Sequence, residues 1–274
     1  MTMKSTGYRL IQFALPAAWM LLGPACRAEA PREDPPKRDW LITVVAGAQF
    51  RPGFPGDDRL RPGPLGHLDL RHVGDPISFN APGQSPSFGL LGRNSKVDLG
   101  PVINLQQKRK EKDVGAPVGE VARTIEAGAF VQAWLLPGLR VRAEGRKGLG
   151  GHRGWVGLVS ADWVIRDGDQ NYFSIGPRLR LSDARYQRAY FGVTPAVAVR
   201  SGLPAFRPGG GVDGVGMATS LLHQFDSKWG VFVTAGYDRL IRNAAVSPIV
   251  RGFGSRNQYS AGLGLAYTFT IHRR

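Results

Sequence analysis

The strongest constraint on the fold of this chain is a repeated alternation of apolar and polar residues with a period of two. In the segment 259–271 every second side chain is large and apolar or aromatic, apart from one alanine. The segments 40–50, 139–146 and 173–182 repeat the alternation. Successive side chains of a strand point to opposite faces, so this period predicts β-strands with one apolar and one polar face.

Strand length and aromatic placement separate a membrane barrel from a soluble sandwich, since alternation alone fits both classes. Several segments are about nine to thirteen residues long, as a tilted membrane-crossing strand requires, whereas soluble strands centre near five or six residues. Aromatic residues also cluster at segment ends, as in interfacial girdles. They include Trp40, Phe50, Trp155, Trp163, Trp229, Tyr237, Tyr259, Tyr267 and Phe269. The sequence predicts an all-β fold, a transmembrane antiparallel β-barrel with a wet, polar lumen.

About twelve strands are predicted, within a range of 10–14, in a barrel domain that spans residues 39–271. The predicted strands are 39–50, 63–72, 76–81, 86–93, 98–108, 124–134, 138–147, 152–166, 170–182, 211–224, 228–240 and 256–271. Short turns follow the sixth, eighth and tenth strands, and the longer connections all follow odd-numbered strands. Outer-membrane barrels have short periplasmic turns and longer external loops. The N- and C-termini are therefore predicted to be periplasmic.

The first thirty residues have the pattern of an export signal. Two basic residues precede an apolar run that Pro16 interrupts, and small residues follow. A membrane anchor needs about twenty uninterrupted apolar residues, so we expect a signal peptide over 1–30 that is cleaved after Ala28 or Ala30. A short periplasmic segment, 31–38, would then precede the barrel. The predicted location is the outer membrane of a Gram-negative cell.

The net charge limits the kinds of partner that the mature chain can bind, and the cysteine content limits its disulfides and metal sites. The formal net charge is +15, of which +2 falls in the signal segment, leaving +13 on the mature chain. A basic surface favours a polyanion, and an exported protein meets lipopolysaccharide phosphates or anionic lipid rather than nucleic acid. The single cysteine, Cys26, lies in the signal segment. A disulfide-stapled fold and a cysteine metal site are therefore excluded for the mature chain.

No motif predicts catalysis, a cofactor or a metal. The glycine pattern at 209–214 resembles a dinucleotide site but follows a loop and opens a strand instead of a helix. His67 and His72 would lie on opposite faces of a strand. His152 and Ser247 are the best candidates for catalysis, but nothing in their spacing brings them together.

Two groups of charged residues are candidate functional sites. The first lies on the polar face of two predicted strands and comprises Arg140, Arg142, Glu144, Arg146, Arg178 and Arg180. If unpaired, its arginines would make the lumen positive and favour anions; if paired with Glu144, Glu126 or Asp162, they would close it with salt bridges. The second comprises Lys108, Arg109, Lys110 and Lys112. It is either a solvated loop tip or a clamp for lipopolysaccharide phosphates.

Four stretches resemble one known family. They are the segments 51–59 (Arg-Pro-Gly-Phe-Pro-Gly-Asp-Asp-Arg), 148–154, 190–195 with 201–206, and 239–250. In this order they resemble the MipA/OmpV outer-membrane proteins, from about residue 38 to residue 269. The resemblance implies an outer-membrane barrel without catalytic residues, whose named member is a scaffold between a murein lytic transglycosylase and a murein polymerase.

Three functions follow as hypotheses. The first is a non-catalytic scaffold that links murein-synthesising and murein-hydrolysing enzymes. The alternative is a small outer-membrane pore with a basic, anion-preferring lumen, and the third is a lipid-modifying enzyme that depends on His152.

Overall fold

Ten antiparallel strands and five short helices make up the computed structural model, which describes residues 39–92 and 95–272. The predicted signal peptide and the segment 31–38 lie outside the described residues. The strands are β1 (Trp40–Pro52), β2 (Leu60–His72), β3 (Val97–Gln106), β4 (Thr124–Leu136), β5 (Leu139–Gly150), β6 (Trp155–Asp167), β7 (Asn171–Ser182), β8 (Gly211–Gln224), β9 (Trp229–Leu240) and β10 (Asn257–Ile271). The helices are α1 (Glu111–Val114), α2 (Ala184–Phe191), α3 (Pro195–Ser201), α4 (Arg242–Val246) and α5 (Pro248–Phe253).

The strands form one sheet in the order β2-β1-β10-β9-β8-β7-β6-β5-β4-β3. Every pair is antiparallel, and the first and last strands pair with each other, with Trp40 opposite Ile271. The start of β1 and the end of β10 therefore lie at the same end of the sheet, together with the three short turns. We call this end the short-turn end, and the opposite one the loop end. The strands β2 and β3 are the two edges.

The burial of the strands is the reverse of that in a soluble protein. On β10, Leu263 and Leu265 are 59% and 57% exposed, whereas Ala266 and Thr268 on the other face are 0% and 4% exposed. The same holds on β6, where Trp163 is 50% exposed and Asp162 is fully buried. Apolar side chains thus face outward and polar side chains face inward around the sheet. This is the pattern of a strand between lipid and a polar interior.

The connection between β2 and β3 contains two predicted strands that are not regular strands in the structure. Residues 76–81 lie inside the curve of the sheet, where side chains of several strands contact them. The count is therefore ten among the described residues, at the low end of the predicted range. The alternation at 76–81 is misleading because its apolar side chains, such as Ile77, fill the interior instead of facing outward.

The predicted fourth strand, 86–93, runs along the outer edge of β3 without becoming a regular strand. Phe88 N donates to Pro101 O at 3.2 Å, and Leu90 N donates to Leu99 O at 2.9 Å. A Cβ atom on Gly100 would lie 1.8 Å from the carbonyl oxygen of Phe88, so this close approach requires glycine. This contact covers the half of the β3 edge that is nearer to the short-turn end.

The long connections pack together at the loop end into what we call the cap (residues 53–59, 107–123, 151–154, 183–210 and 241–256). Asp183 and Thr194 begin α2 and α3 by accepting hydrogen bonds from backbone N–H groups of Tyr186 (2.9 Å) and Val197 (3.3 Å). The buried core beneath the cap combines cap residues with Val156 of β6 and Leu240 of β9; the cap residues are Phe54, Val114, Val118, Val121, Tyr186, Tyr190, Phe191, Val193, Ala244, Ile249 and Val250. Within residues 39–92 and 95–272, no helix has the length and hydropathy to cross a membrane.

Candidate functional site

The charged residues predicted on β5 lie on the inner face of the sheet. Arg140, Arg142, Glu144 and Arg146 occupy every second position, and they are 2%, 5%, 5% and 8% exposed. Burial of so many charges is costly unless each is paired. The pairing of these residues therefore determines the chemistry of the interior.

Asp162 of β6 joins two of the arginines. Its Oδ2 accepts a hydrogen bond from Arg140 Nη2 at 2.9 Å, and its Oδ1 accepts one from Arg178 Nη2 at 2.6 Å. The antiparallel register places Arg140 directly opposite Asp162. Arg140 also lies over the ring of Phe79, 4.3 Å from its centroid. One carboxylate thus crosslinks β5, β6 and β7.

A second chain of ion pairs runs along β4 and β5 toward the loop end. Arg142 Nη2 lies 3.2 Å from Glu144 Oε2, and Arg146 bonds both Glu144 and Glu126. The bond from Arg146 Nε to Glu126 Oε2 is 2.8 Å long. His152 Nε2 lies 3.0 Å from the other oxygen of Glu126. These contacts rigidify the inner wall instead of leaving free cations.

Arg180 differs from the other inner arginines. Its Nε is 3.9 Å from Asp213 Oδ1, and no hydrogen bond joins its guanidinium to another described residue. With Asp238 of β9, which lines the same space, five arginines face five carboxylates on the inner wall. The arginines are Arg140, Arg142, Arg146, Arg178 and Arg180, and the carboxylates are Glu126, Glu144, Asp162, Asp213 and Asp238. This balance leaves no net positive charge in the set.

Residues 75–86, which we call the inner segment, cross the interior between β2 and β3. The backbone of Ile77 accepts a hydrogen bond from Arg166 Nη1 at 2.7 Å, and its N–H donates to Asp169 Oδ1 at 2.9 Å. Further along, Ser85 Oγ donates to Glu144 Oε1 at 2.9 Å. Ile77 also packs in an apolar cluster with Val45, Tyr172, Leu222, Phe232 and Ala266. The segment therefore fills the interior near the short-turn end.

Sequence reasoning missed a third polar cluster beside the inner segment. Arg71 Nη1 donates to Asp69 Oδ2 at 2.9 Å and to Thr43 Oγ1 at 2.8 Å, and Thr43 Oγ1 is 2.7 Å from Thr268 Oγ1. Asp69 and Arg71 stand two residues apart, hence on one face of β2. That spacing was the signal that could have identified them.

A cavity of about 600 Å³ remains between the inner segment and the cap. Its walls carry both signs of charge, from Arg146, Arg178 and Arg180 and from Glu126 and Asp238. Its remaining polar lining is rich in amides, among them Gln49, Asn80, Gln84, Asn104, Gln106, Gln107 and Gln258. The volume of this cavity lies within the usual range of small-molecule sites.

The predicted lipopolysaccharide-facing loop divides into exposed and buried residues. Lys108 and Lys112 are exposed and Lys110 is partly exposed, but Arg109 is 2% exposed. Arg109 does not face outward because its guanidinium donates to the carbonyl oxygens of Tyr190 (2.7 Å) and Gly119 (3.2 Å). Burial lowers its pKa to about 10, which keeps the guanidinium charged at neutral pH.

His152 and Ser247 bind different partners in the structure. His152 is tied to Glu126, and its Nδ1 accepts a hydrogen bond from Gly154 N at 3.0 Å. Ser247 Oγ donates to the carbonyl oxygen of Phe191 at 2.8 Å. Both hold the cap in place, and neither activates the other as a nucleophile and a base would. Among the described residues, no group of three or more His, Cys, Asp or Glu side chains could hold a metal ion.

Comparison with known proteins gives one family match and several distant structural likenesses. The KdgM porin is 11% identical, with 85% of this chain and 99% of that chain covered at a TM-score of 0.36. The NanC porin is 9% identical, with coverages of 82% and 98% and a TM-score of 0.39. An outer membrane channel from Pseudomonas putida F1 is 10% identical, with coverages of 88% and 98% and a TM-score of 0.42.

No curated protein matches the chain significantly. The family match is to MipA, described as MltA-interacting protein MipA, and it extends over residues 44–269. It therefore includes the inner segment, the whole cap and all ten strands except the start of β1 and the end of β10. The chain belongs to the MipA family.

Proposed function

We propose that this protein is a non-catalytic outer-membrane β-barrel that acts as a scaffold, linking a murein lytic transglycosylase to a murein polymerase. The family description names an MltA-interacting protein, which supports a protein partner. The two best candidates for catalysis support its absence, because His152 is bound to Glu126 and Ser247 is bound to the carbonyl oxygen of Phe191.

The outward face supports a membrane location. Exposed aromatic side chains lie near both ends of the strands: Phe50, Trp155 and Tyr259 near the loop end, and Trp40, Trp229 and Tyr267 near the short-turn end. Large apolar side chains such as Leu263 occupy the strands between them. An apolar band between two aromatic girdles matches the profile of a bilayer.

The filled interior is the single observation that favours a scaffold over an open channel. The inner segment lies across the sheet near the short-turn end, and a buried apolar core closes the cap at the other end. Three of the inner arginines, Arg140, Arg146 and Arg178, are paired with carboxylates of neighbouring strands. A rigid, filled barrel provides a fixed platform for protein binding, whereas conduction needs a continuous wet path.

The short-turn end is the proposed docking face for the partners. Its turns join β4 to β5, β6 to β7 and β8 to β9, and the predicted topology places it in the periplasm, where murein enzymes act. The exposed Lys108 and Lys112 and the partly exposed Lys110, at the loop end, are then proposed to meet lipopolysaccharide phosphates.

Affinity capture tests the scaffold. The tagged chain, solubilised from envelopes after crosslinking, should enrich a lytic transglycosylase and a murein polymerase together. Replacement of exposed turn residues Asp226 and Lys228 with Ala should reduce the yield, and the same change at Lys108 and Lys112 in the cap serves as the control. A correctly inserted barrel that captures neither enzyme would refute the scaffold.

A pore is the second candidate, and the 600 Å³ cavity is the observation in its favour. Planar-bilayer recordings separate the two functions. A scaffold should be electrically silent, and replacement of residues 76–85 by a Gly-Ser linker should create conductance. Steady ion-conducting steps from the unmodified chain would favour the pore.

A further inference from the structure

The interior cavity is lined by one guanidinium and one carboxylate that make no hydrogen bond to another described residue. The side chain of Arg180 is 26% exposed, whereas those of the other four inner arginines are 10% exposed or less. Its nearest acidic partner is Asp213, at 3.9 Å. Asp238 lines the same cavity, and no hydrogen bond or ion pair links its side chain to the rest of the described chain.

Two glycines on β8 make room for these side chains. Gly214 is paired with Arg180 on β7, and Gly216 is paired with Asp238 on β9. A Cβ atom on Gly216 would lie 2.3 Å from Asp238 Oδ1, and one on Gly214 would lie 3.4 Å from Arg180 Cδ. With β8 between them, the two backbones are roughly 9.5 Å apart, which is two strand spacings. Both side chains thus extend over β8 and line the same cavity.

The remaining lining is suited to a ligand with peptide-like polar groups. Seven amide side chains offer both donors and acceptors. Arg178 adds a buried Nε that has no hydrogen-bond partner among the described residues. The volume of about 600 Å³ lies within the usual range of small-molecule sites.

The cavity also reaches the open seam of the sheet. Residues 64–67 of β2 and residues 104–107, at and just after the end of β3, line it from opposite sides. In the part of the chain that the structure describes, no hydrogen-bonded ladder joins these two edges. Entry of a ligand at this seam would not require the cap to unfold.

We propose that this cavity binds a small zwitterion of the amino acid or short peptide class. Arg180 would hold the carboxylate through two parallel N–H donors, and Asp238 would accept the ammonium group. A ligand with only one charge would leave the other side chain unpaired in a confined site, which is unfavourable. The site therefore selects for both charges on one molecule.

Calorimetric titration of the full chain in detergent micelles with alanyl-alanine tests this proposal. We expect saturable binding, and at least tenfold weaker binding of the N-acetyl derivative and of the methyl ester, each of which lacks one charge. Saturable binding of the free dipeptide alone would support the zwitterion site. Absence of binding at millimolar dipeptide, or equal affinity for all three ligands, would overturn it.

Two variants test which side chain binds the carboxylate of the ligand and which binds its ammonium group. Arg180→Gln should weaken alanyl-alanine and its N-acetyl form by at least tenfold and leave the methyl ester nearly unchanged. Asp238→Asn should do the reverse, weakening the methyl ester and leaving the N-acetyl form nearly unchanged. Arg239→Gln, on the outward face of β9, is the matched control. Unchanged binding in both inner variants would overturn the assignment, and if either variant fails to insert, the three-ligand series on the unmodified chain still decides.

Discussion

Arg109 Nη1 donates a 2.7 Å hydrogen bond to the backbone carbonyl oxygen of Tyr190 in α2. The bond joins the β3–β4 connection to the β7–β8 connection, and its two residues are 81 positions apart in the chain. The guanidinium also lies over the Tyr190 ring, 5.8 Å from its centroid. A cation that would ordinarily be solvated instead holds two parts of the cap together.

Replacement of Arg109 by Gln should loosen the cap without unfolding the barrel. The change removes hydrogen bonds from a charged donor to two buried carbonyl groups, so we expect local opening to become easier by about 2–3 kcal/mol. Hydrogen exchange of the amides in 184–191 measures that opening. The exposed Lys112→Gln is the control and should have little effect. Equal exchange in both variants would contradict the structural role of Arg109.

Replacement of Asp162 by Asn should destabilise the whole barrel. It leaves Arg140 and Arg178 buried without their shared carboxylate, and loss of one partner from a buried ion pair costs about 3–5 kcal/mol. Urea unfolding in detergent, followed by heat-modifiable migration, reports the change. The exposed Asp167→Asn on the same strand is the matched control. If the urea midpoint of Asp162→Asn is no lower than that of the control, the two ion pairs of Asp162 do not stabilise the barrel.

A charge on the outward face tests the membrane location. Leu263 lies at the middle of β10 and is 59% exposed, so Leu263→Arg should cost about 2–4 kcal/mol at the bilayer midplane. The same change at Leu60, where β2 begins, should cost about 0–1 kcal/mol. Unfolding in lipid vesicles gives both values. If Leu263→Arg were harmless in vesicles, the outward face would not be in contact with lipid.

Alkaline pH should weaken the cap through Tyr186. Burial raises the pKa of this phenol well above its ordinary value of 10.0, so the folded cap favours the neutral form. The associated stability is fully present below pH 10 and is lost as pH rises from 10 toward the folded-state pKa. Tyr186→Phe should therefore flatten the alkaline branch of the stability profile. Identical profiles for the two proteins between pH 9 and 12 would contradict this.

The sequence alone was sufficient for the class of fold and for the ten strands that form, although two further predicted strands, 76–81 and 86–93, are not strands in the structure. All ten strands fall on predicted segments, with ends that differ by a few residues. Alternation of apolar and polar residues could locate the strands because the face on which a side chain lies depends only on neighbouring positions. It also placed Arg140, Arg142, Glu144 and Arg146 on one face, and the family match over 44–269 agrees with the resemblance that four short stretches suggested.

Only the tertiary structure decided what those faces contact. The segment 76–81 alternates like a strand, yet it lies inside the sheet because Arg166 and Asp169 bind its backbone. Arg109 stands in a basic run that resembles a solvated loop, but Tyr190, 81 residues away, supplies its acceptor. The pairing of the inner charges, the position of the inner segment and the packing of the cap depend on the register between distant strands and on which loops meet. A local sequence pattern carries no information about those distances, whereas it fully specifies the period of a strand.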